Sequence, residues 1–159
     1  MRSHMKYLIF GMVIASLVII GITYVKTYSS DDETVMEYED TYNNLIKAVE
    51  DNNVPRVIRL LREDIDPDIQ DATGLAPLHY AAYHQNFEII NLLLAADADA
   101  NIQDDERFTP LHAVADFNNI EIAQALVNAG ANPYIENSEG RTPMDFANSD
   151  EMREVLNQR

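Results

Sequence analysis

Two histidines stand at matching places in the chain and are the first side chains that suggest chemistry. His79 and His112 each follow a Pro-Leu pair, and 33 residues separate them. A zinc-binding or catalytic histidine needs a second histidine on the same helix or a nearby nucleophile motif, and neither surrounds these two. Because their surroundings are equal, the sequence predicts one structural role performed twice. A third copy of the pattern carries Asp145 instead.

Asp64, Asp66 and Asp68 alternate in the way that opens a calcium-binding loop. The pattern then fails, because Ile69 stands where a glycine is required and Leu75 where a bidentate glutamate is required. We interpret these acids as solvated turn and capping residues. The chain also has no cysteine, nucleophile elbow or phosphate-binding loop. The sequence therefore predicts no catalytic residue, no metal site and no cofactor.

A period of 33 residues organises the chain around these side chains. It is visible in three sets of positions: Pro77, Pro110 and Pro143; Asp66, Asp99 and Asn132; and Ile69, Ile102 and Ile135. A fixed period of this length is typical of stacked repeats, each one a supersecondary unit that cannot bury its apolar faces alone. Stacked repeats form an extended surface and have no inherent catalytic pocket.

Four units are predicted, at about 38–70, 71–103, 104–136 and 137–159. Each reads as two short helices and a turn, with proline at the first helical position, where its missing N–H costs nothing. The first unit is divergent and the last is shortened into a cap. The expected packed faces in the second unit, at helical spacing, are Leu78, Ala81 and Ala82 on the first helix and Ile89, Ile90, Leu93 and Leu94 on the second.

The ends of these helices carry further signals. Thr109 and Thr142 precede the prolines as predicted N-caps, whereas Ala76 cannot cap and predicts a softer helix start. Gly130 stands where the second helix should end in a left-handed conformation. Asp97 replaces it one unit earlier, and aspartate tolerates that conformation less freely than glycine.

The N-terminal part of the chain has a different character. Residues 7–25 contain no charge over 19 positions, which is long enough for a helix to cross a membrane. We predict an uncleaved signal anchor there; a cleaved signal peptide is the alternative, although no Ala-x-Ala-like site follows. Around it we expect a flank at 1–6, of which 1–4 read as a cloning remnant, and an acidic tether at 26–37.

The basic residues beside this segment predict its orientation. Arg2 and Lys6 precede the span, and Lys26 follows it. Positive residues favour the cytoplasmic side. We therefore expect a single-pass protein of the bacterial inner membrane whose N-terminus is cytoplasmic and whose repeat domain is periplasmic or extracellular.

The charge of the chain bears on its partners. It holds 27 acidic and 11 basic residues, a formal net charge of −16, and every acid lies after position 30. Nucleic acid is an unsuitable ligand, because phosphate binding needs a basic face. A partner protein with a basic surface fits better. Arg56, Arg59 and Arg62 share one helical face; we interpret them as surface ion pairs, with anionic lipid headgroups as the alternative.

Residues 38–159 resemble the ankyrin-repeat family. Asp71 to Ala82 reads D-x-x-G-x-A-P-L-H-x-A-A, and Asp104 to Ala115 reads D-x-x-R-x-T-P-L-H-x-V-A, with Arg107 in place of glycine. The resemblance implies an all-α repeat solenoid with short finger turns. It also implies that the histidine of each unit bonds the backbone of a neighbouring loop.

Ankyrin domains typically bind other proteins through their finger tips and the exposed face of their first helices. Carried onto this sequence, the resemblance implies a partner-binding set of Leu75, Tyr83, His84, Asp105, Glu106, Phe108, Asp116, Phe117, Glu139 and Arg141. Tyr83, Phe108 and Phe117 are candidate aromatic anchors. For Phe108 and Phe117 the alternative is packing against a neighbouring unit.

A single-span anchor followed by a short acidic ankyrin domain is similar to small bacterial envelope proteins, some of which are immunity proteins that neutralise a secreted toxic effector. The likeness implies a non-enzymatic module, without a small-molecule substrate, that binds and inhibits a partner protein. Two alternatives stay open. One is a scaffold or assembly factor of the envelope, and the other is a cytoplasm-facing effector or receptor module in a host-associated organism.

Overall fold

The computed structural model describes residues 41–158, and side chains from residue 45 onward. The predicted flank, membrane span and tether at 1–37 lie outside the described residues. Within the described part, no helix is both long and apolar enough to span a membrane.

The described residues form eight helices and contain no strand. The helices come in four pairs, one within each predicted unit. They are α1 (Thr41–Glu50) and α2 (Val54–Arg62), α3 (Pro77–Tyr83) and α4 (Phe87–Ala95), α5 (Pro110–Phe117) and α6 (Ile120–Asn128), and α7 (Pro143–Phe146) and α8 (Asp150–Leu156). The protein is therefore an all-α repeat stack.

The pairs stack in two layers. The first helices α1, α3, α5 and α7 contact one another in order, and so do the second helices α2, α4, α6 and α8. The predicted packed faces are buried with one exception, since Leu94 is only partly buried on the outer side of α4. Each fully buried large aliphatic side chain contributes about 1.5–3 kcal/mol, so the core between the layers is the main source of stability.

The last pair closes the stack as predicted. Helix α8 buries Met152, Val155 and Leu156 against the preceding unit. Its other side chains are exposed, at Asp150, Glu151, Arg153 and Glu154. The Ser149 hydroxyl accepts a hydrogen bond from the Met152 amide at 3.0 Å and caps the helix. This polar outer face is what a terminal repeat needs in water.

Left-handed residues end the helices at regular places. Asp97 and Gly130, the residues after the C-caps of α4 and α6, have φ values of +63° and +93°. The predicted left-handed conformation is therefore confirmed. A second set, which the sequence did not reveal, lies between the two helices of a unit and comprises Asn52, Gln85 and Asn118.

We expect Asp97→Gly to raise the free energy of unfolding by about 0.5–1 kcal/mol. A left-handed conformation costs a non-glycine residue about 1–2 kcal/mol, and the flexibility of glycine in the unfolded chain offsets part of that gain. Thermal or urea unfolding measures the change. Gly130→Asp is the matched control, because a Cβ at Gly130 would meet no atom within 4 Å and only the backbone term changes. A lower midpoint for Asp97→Gly, or an unchanged one for Gly130→Asp, would contradict this explanation.

Candidate protein-interaction face

Each histidine joins its own helix to the next unit. The Ala76 amide donates to Nδ1 of His79 at 3.1 Å, and Nε2 of His79 lies 3.0 Å from the carbonyl oxygen of Phe108. His112 repeats these contacts one unit later, at 3.0 and 3.1 Å, with the Thr109 amide and the Arg141 carbonyl. An amide can only donate and a carbonyl can only accept, so each ring is neutral with its proton on Nε2. The predicted structural role is confirmed, and both ring nitrogens are occupied.

Burial keeps these rings neutral. Both side chains are almost fully buried. Burial lowers the pKa of His79 and of His112 below the usual value of 6.5, and the hydrogen bonds to the finger carbonyls, which favour the protonated ring, do not reverse the shift. A second proton on the ring would also face the amide of residue 76 or 109, donor against donor.

The threonines before the prolines act differently from the predicted N-caps. Thr109 and Thr142 occupy the N-cap positions, but their hydroxyls do not accept from helix amides. Each hydroxyl is instead directed at the side chain three residues later, 2.9 Å from His112 Nδ1 and 2.8 Å from an Asp145 carboxylate oxygen. That side chain satisfies the amide of the N-cap residue itself. Ala76 receives the same amide bond from His79, so its helix lacks only the hydroxyl contact.

One acidic or amide side chain shapes each finger turn. Oδ1 of Asp71 accepts from the amides of Thr73 and Leu75, at 2.8 and 3.1 Å. The equivalent side chains of Asp104 and Asn137 accept from the matching amides of their own fingers. Tyr80 adds a hydrogen bond to Asp71 at 2.6 Å, and this bond raises the pKa of Tyr80 to about 12. The finger turns are therefore held from within by side chains that the 33-residue period repeats.

Adjacent fingers are also bonded to each other. Nε2 of Gln70 donates to the carbonyl of Gly74 at 2.6 Å and to that of Gln103, in the next finger, at 2.8 Å. The Asp105 amide donates to the carbonyl of Thr73 at 3.2 Å. Only glycine fits at position 74, because an added Cβ would lie 2.6 Å from the Asp105 nitrogen. The fingers thus form a continuous hydrogen-bonded row.

The alternating acids at 64–68 have the turn and capping roles that we inferred. Asp66 accepts from the amide of Asp68 at 2.9 Å, and Asp68 accepts from the amide of Asp99, in the next unit, at 2.9 Å. Their carboxylates are thus directed at backbone amides. Across residues 41–158, no group of three or more histidines and acids is arranged to hold a metal ion.

Most of the predicted partner-binding residues lie on the surface. Tyr83 and Phe117, near the ends of the first helices α3 and α5, are 43% and 46% exposed. The other exposed members are His84, Asp105, Glu106, Asp116, Glu139 and Arg141. Leu75 and Phe108 are half-buried. We call the exposed aromatic pair together with its acidic neighbours the finger face, which comprises Tyr83, Phe117, Asp105, Glu106, Asp116 and Glu139.

Phe108 packs against the next unit, which was the alternative to its role as an anchor. Its ring centroid lies 5.2 Å from that of His112 and 5.9 Å from that of Phe146. Arg141 closes this aromatic cluster, with its guanidinium 4.5 Å from the Phe146 centroid, and also donates to Glu139 at 2.8 Å. The cluster joins the third and fourth units. Sequence reasoning missed Phe146, whose partners lie more than 30 residues away.

The exposed tyrosine lies in the negative field of the next finger. Partial burial and the nearby carboxylates of Asp104 and Glu106 raise the pKa of Tyr83. An exposed aromatic ring is therefore adjacent to exposed acids, and the hydrogen-bonded fingers hold the acids in place. This arrangement provides apolar contact area with a surrounding attraction for positive charge.

A comparison with protein families agrees with this architecture. The model described as "Ankyrin repeats (3 copies)" matches the chain three times, over residues 21–104, 45–137 and 88–157. Together the matches cover most of the chain. No curated protein matches it.

We expect the stability to fall as the pH is lowered from 7 towards 5. The folded pKa values of His79 and His112 lie below the unfolded value of 6.5, so the unfolded chain binds more protons in this range. Their contribution is complete above pH 6.5 and is lost as the pH falls towards the folded pKa values. Urea unfolding at several pH values measures the slope.

The double variant His79→Gln/His112→Gln is the control for this effect. Glutamine retains a donor and an acceptor but does not titrate, so we expect lower stability at pH 7 together with a smaller slope between pH 7 and 5. The lowered pKa values of Asp71 and Asp145 act below their ordinary value of 3.8 and do not disturb this window. An unchanged slope in the variant would show that the histidines are not its source.

Proposed function

Because the chain belongs to the ankyrin-repeat family, whose members bind other proteins and are generally not enzymes, we propose that it is a membrane-anchored module that binds and inhibits one partner protein. The finger face is the binding surface in this proposal. The partner is an enzyme with a basic surface, such as a toxic secreted effector, and the module acts as its immunity protein.

The observation that carries this proposal is the exposed aromatic pair on the first helices. Tyr83 and Phe117 remain largely in water in a stack whose other large side chains are mostly packed. Burying either ring on a partner would contribute large contact area, and aromatic residues at the centre of an interface commonly supply most of its binding energy.

The charge of the finger face supports a basic partner. Its acids are Asp105, Glu106, Asp116 and Glu139, all exposed. Arg141 is paired with Glu139 and stacked on Phe146, so it does not neutralise the other three carboxylates. A partner with lysine or arginine around an apolar patch would be attracted to this surface and held in register by it.

The proposed mechanism of inhibition is occlusion. The hydrogen-bonded fingers form a stiff row, so the finger face covers the partner's active site without a loss of its own flexibility. The predicted anchor at 7–25 concentrates the domain at the bilayer, where a membrane-directed effector acts. An envelope scaffold would bind its partner through the same face without changing the partner's activity.

We expect Tyr83→Ala and Phe117→Ala each to weaken binding by about 30-fold, which corresponds to a hot-spot loss of about 2 kcal/mol. The full chain, solubilised from membranes of the source cell, is used to capture the partner for identification by mass spectrometry, and affinity and enzymatic activity are then measured. Tyr134→Ala is the matched control, since Tyr134 is 45% exposed but lies outside the finger face.

Capture of one enzyme whose activity falls on binding, with loss in the finger-face variants alone, supports inhibition. A captured protein whose activity is unchanged favours the scaffold. Equal loss with Tyr134→Ala, or full retention by a Tyr83→Ala/Phe117→Ala double variant, contradicts the assigned surface.

The proposed location has its own test. We expect alkaline phosphatase fused after residue 159 to be active in intact bacteria and green fluorescent protein fused at the same place to be dark, because the positive residues before the span favour a cytoplasmic N-terminus. A fluorescent fusion with inactive phosphatase would place the domain in the cytoplasm and support the effector or receptor alternative.

A further inference from the structure

A second surface, separate from the finger face, is an open groove between the second helices α4 and α6. Its lining is largely uncharged: Phe87, Asn91, Leu94 and Ala95 come from α4, and Glu121, Gln124, Ala125, Asn128 and Ala129 come from α6 or its C-cap. Glu121 is the one charged residue among these nine. In a chain with a net charge of −16, this groove is a nearly neutral surface.

The two ends of the groove differ in shape. Phe87 begins α4 and is 37% exposed, so it forms a protruding ring at one end. Ala95, the last residue of α4, and Ala129, the C-cap of α6, are small and exposed at the other end. Nine helical residues separate the ends by about 13 Å, at 1.5 Å per residue. A knob and a shallow recess therefore lie on one surface at opposite ends.

A surface of this kind is complementary to itself after a half-turn. We propose that the groove is a homodimer interface, with a two-fold axis near Asn91 and Gln124 at its centre. Phe87 of each copy covers Ala95 and Ala129 of the other, and helices α4 and α6 of the two copies run antiparallel. In such an interface the same patch is used twice, which a two-fold axis requires.

Charge selects a second copy as the occupant and this face as the contact. Two copies of this acidic chain repel through most of their surfaces. At the groove each copy contributes one carboxylate, Glu121, and the half-turn brings it towards the C-terminal end of the other copy's α6. Asn128 lies at that end, and its carboxamide can donate to the carboxylate.

The dimer would leave the finger face free, because that face is built from the finger turns and first helices. Two anchored copies would then present two finger faces together, which raises the effective affinity for a partner that offers two sites or is itself dimeric. The inference rests on the groove alone and does not depend on the identity of any partner.

The absence of cysteine from the sequence makes a direct test available. Asn91→Cys places one thiol near the proposed axis, and Ser138→Cys, on an exposed finger, is the matched control. The full chain in a non-ionic detergent is treated with a short bis-maleimide at low micromolar concentration and separated on a denaturing gel. We expect a covalent dimer from Asn91→Cys and at least tenfold less from Ser138→Cys.

Two further changes test the packing. Phe87→Ala removes the knob, and Ala95→Asp places a carboxylate in the recess; each, combined with Asn91→Cys, is expected to reduce the covalent dimer at least tenfold while the circular dichroism spectrum is unchanged. Because Phe87 is exposed, its variant retains the fold even if Ala95→Asp does not. Equal cross-linking at positions 91 and 138, or a dimer that persists in Phe87→Ala, would overturn the proposed interface.

Discussion

The structure depends on the hydrogen bonds that pass from each unit to the next. No ankyrin unit can bury both of its apolar faces alone, so a unit is stable only where a neighbour covers it. Nε2 of His79 and of His112 reaches the finger carbonyl 29 residues further along the chain. The rings are neutral and almost fully buried, and each satisfies an amide of its own helix with the other nitrogen. The same side chain therefore caps a helix and fixes the position of the adjacent finger.

The finger face follows from this constraint. Gln70 and the backbone of Thr73 and Asp105 bond neighbouring fingers at 2.8–3.2 Å, so acids on the finger tips have defined positions relative to Tyr83 and Phe117. Rigid presentation matters because a flexible surface would lose conformational entropy on binding. The groove between α4 and α6 is built from the other layer of the same stack. In this account the protein has two independent surfaces, one acidic and aromatic and one nearly neutral.

Sequence reasoning identified the features that the 33-residue period repeats. The four helix pairs are where the period placed them, and the bonds of His79 and His112 and the left-handed Asp97 and Gly130 were expected in kind. It failed where the outcome depends on which distant side chain fills a space. Phe108 and Phe117 are both large aromatics beside acids, but only Phe108 has a ring from the next unit, Phe146, to pack against. The threonine hydroxyls likewise chose the side chain of residue 112 or 145 over a helix amide, since that acceptor lies in reach and the amide's own partner is elsewhere.

The most direct measurement of the central claim is amide hydrogen exchange of the full chain, alone and bound to its captured partner. The account predicts slower exchange on binding in the finger turns at 72–75 and 105–108 and at the C-terminal ends of α3 and α5. The second helices should be unchanged unless the partner alters dimerisation. Protection confined to α4 and α6, with the finger turns unaffected, would contradict the account and transfer the partner-binding role to the groove.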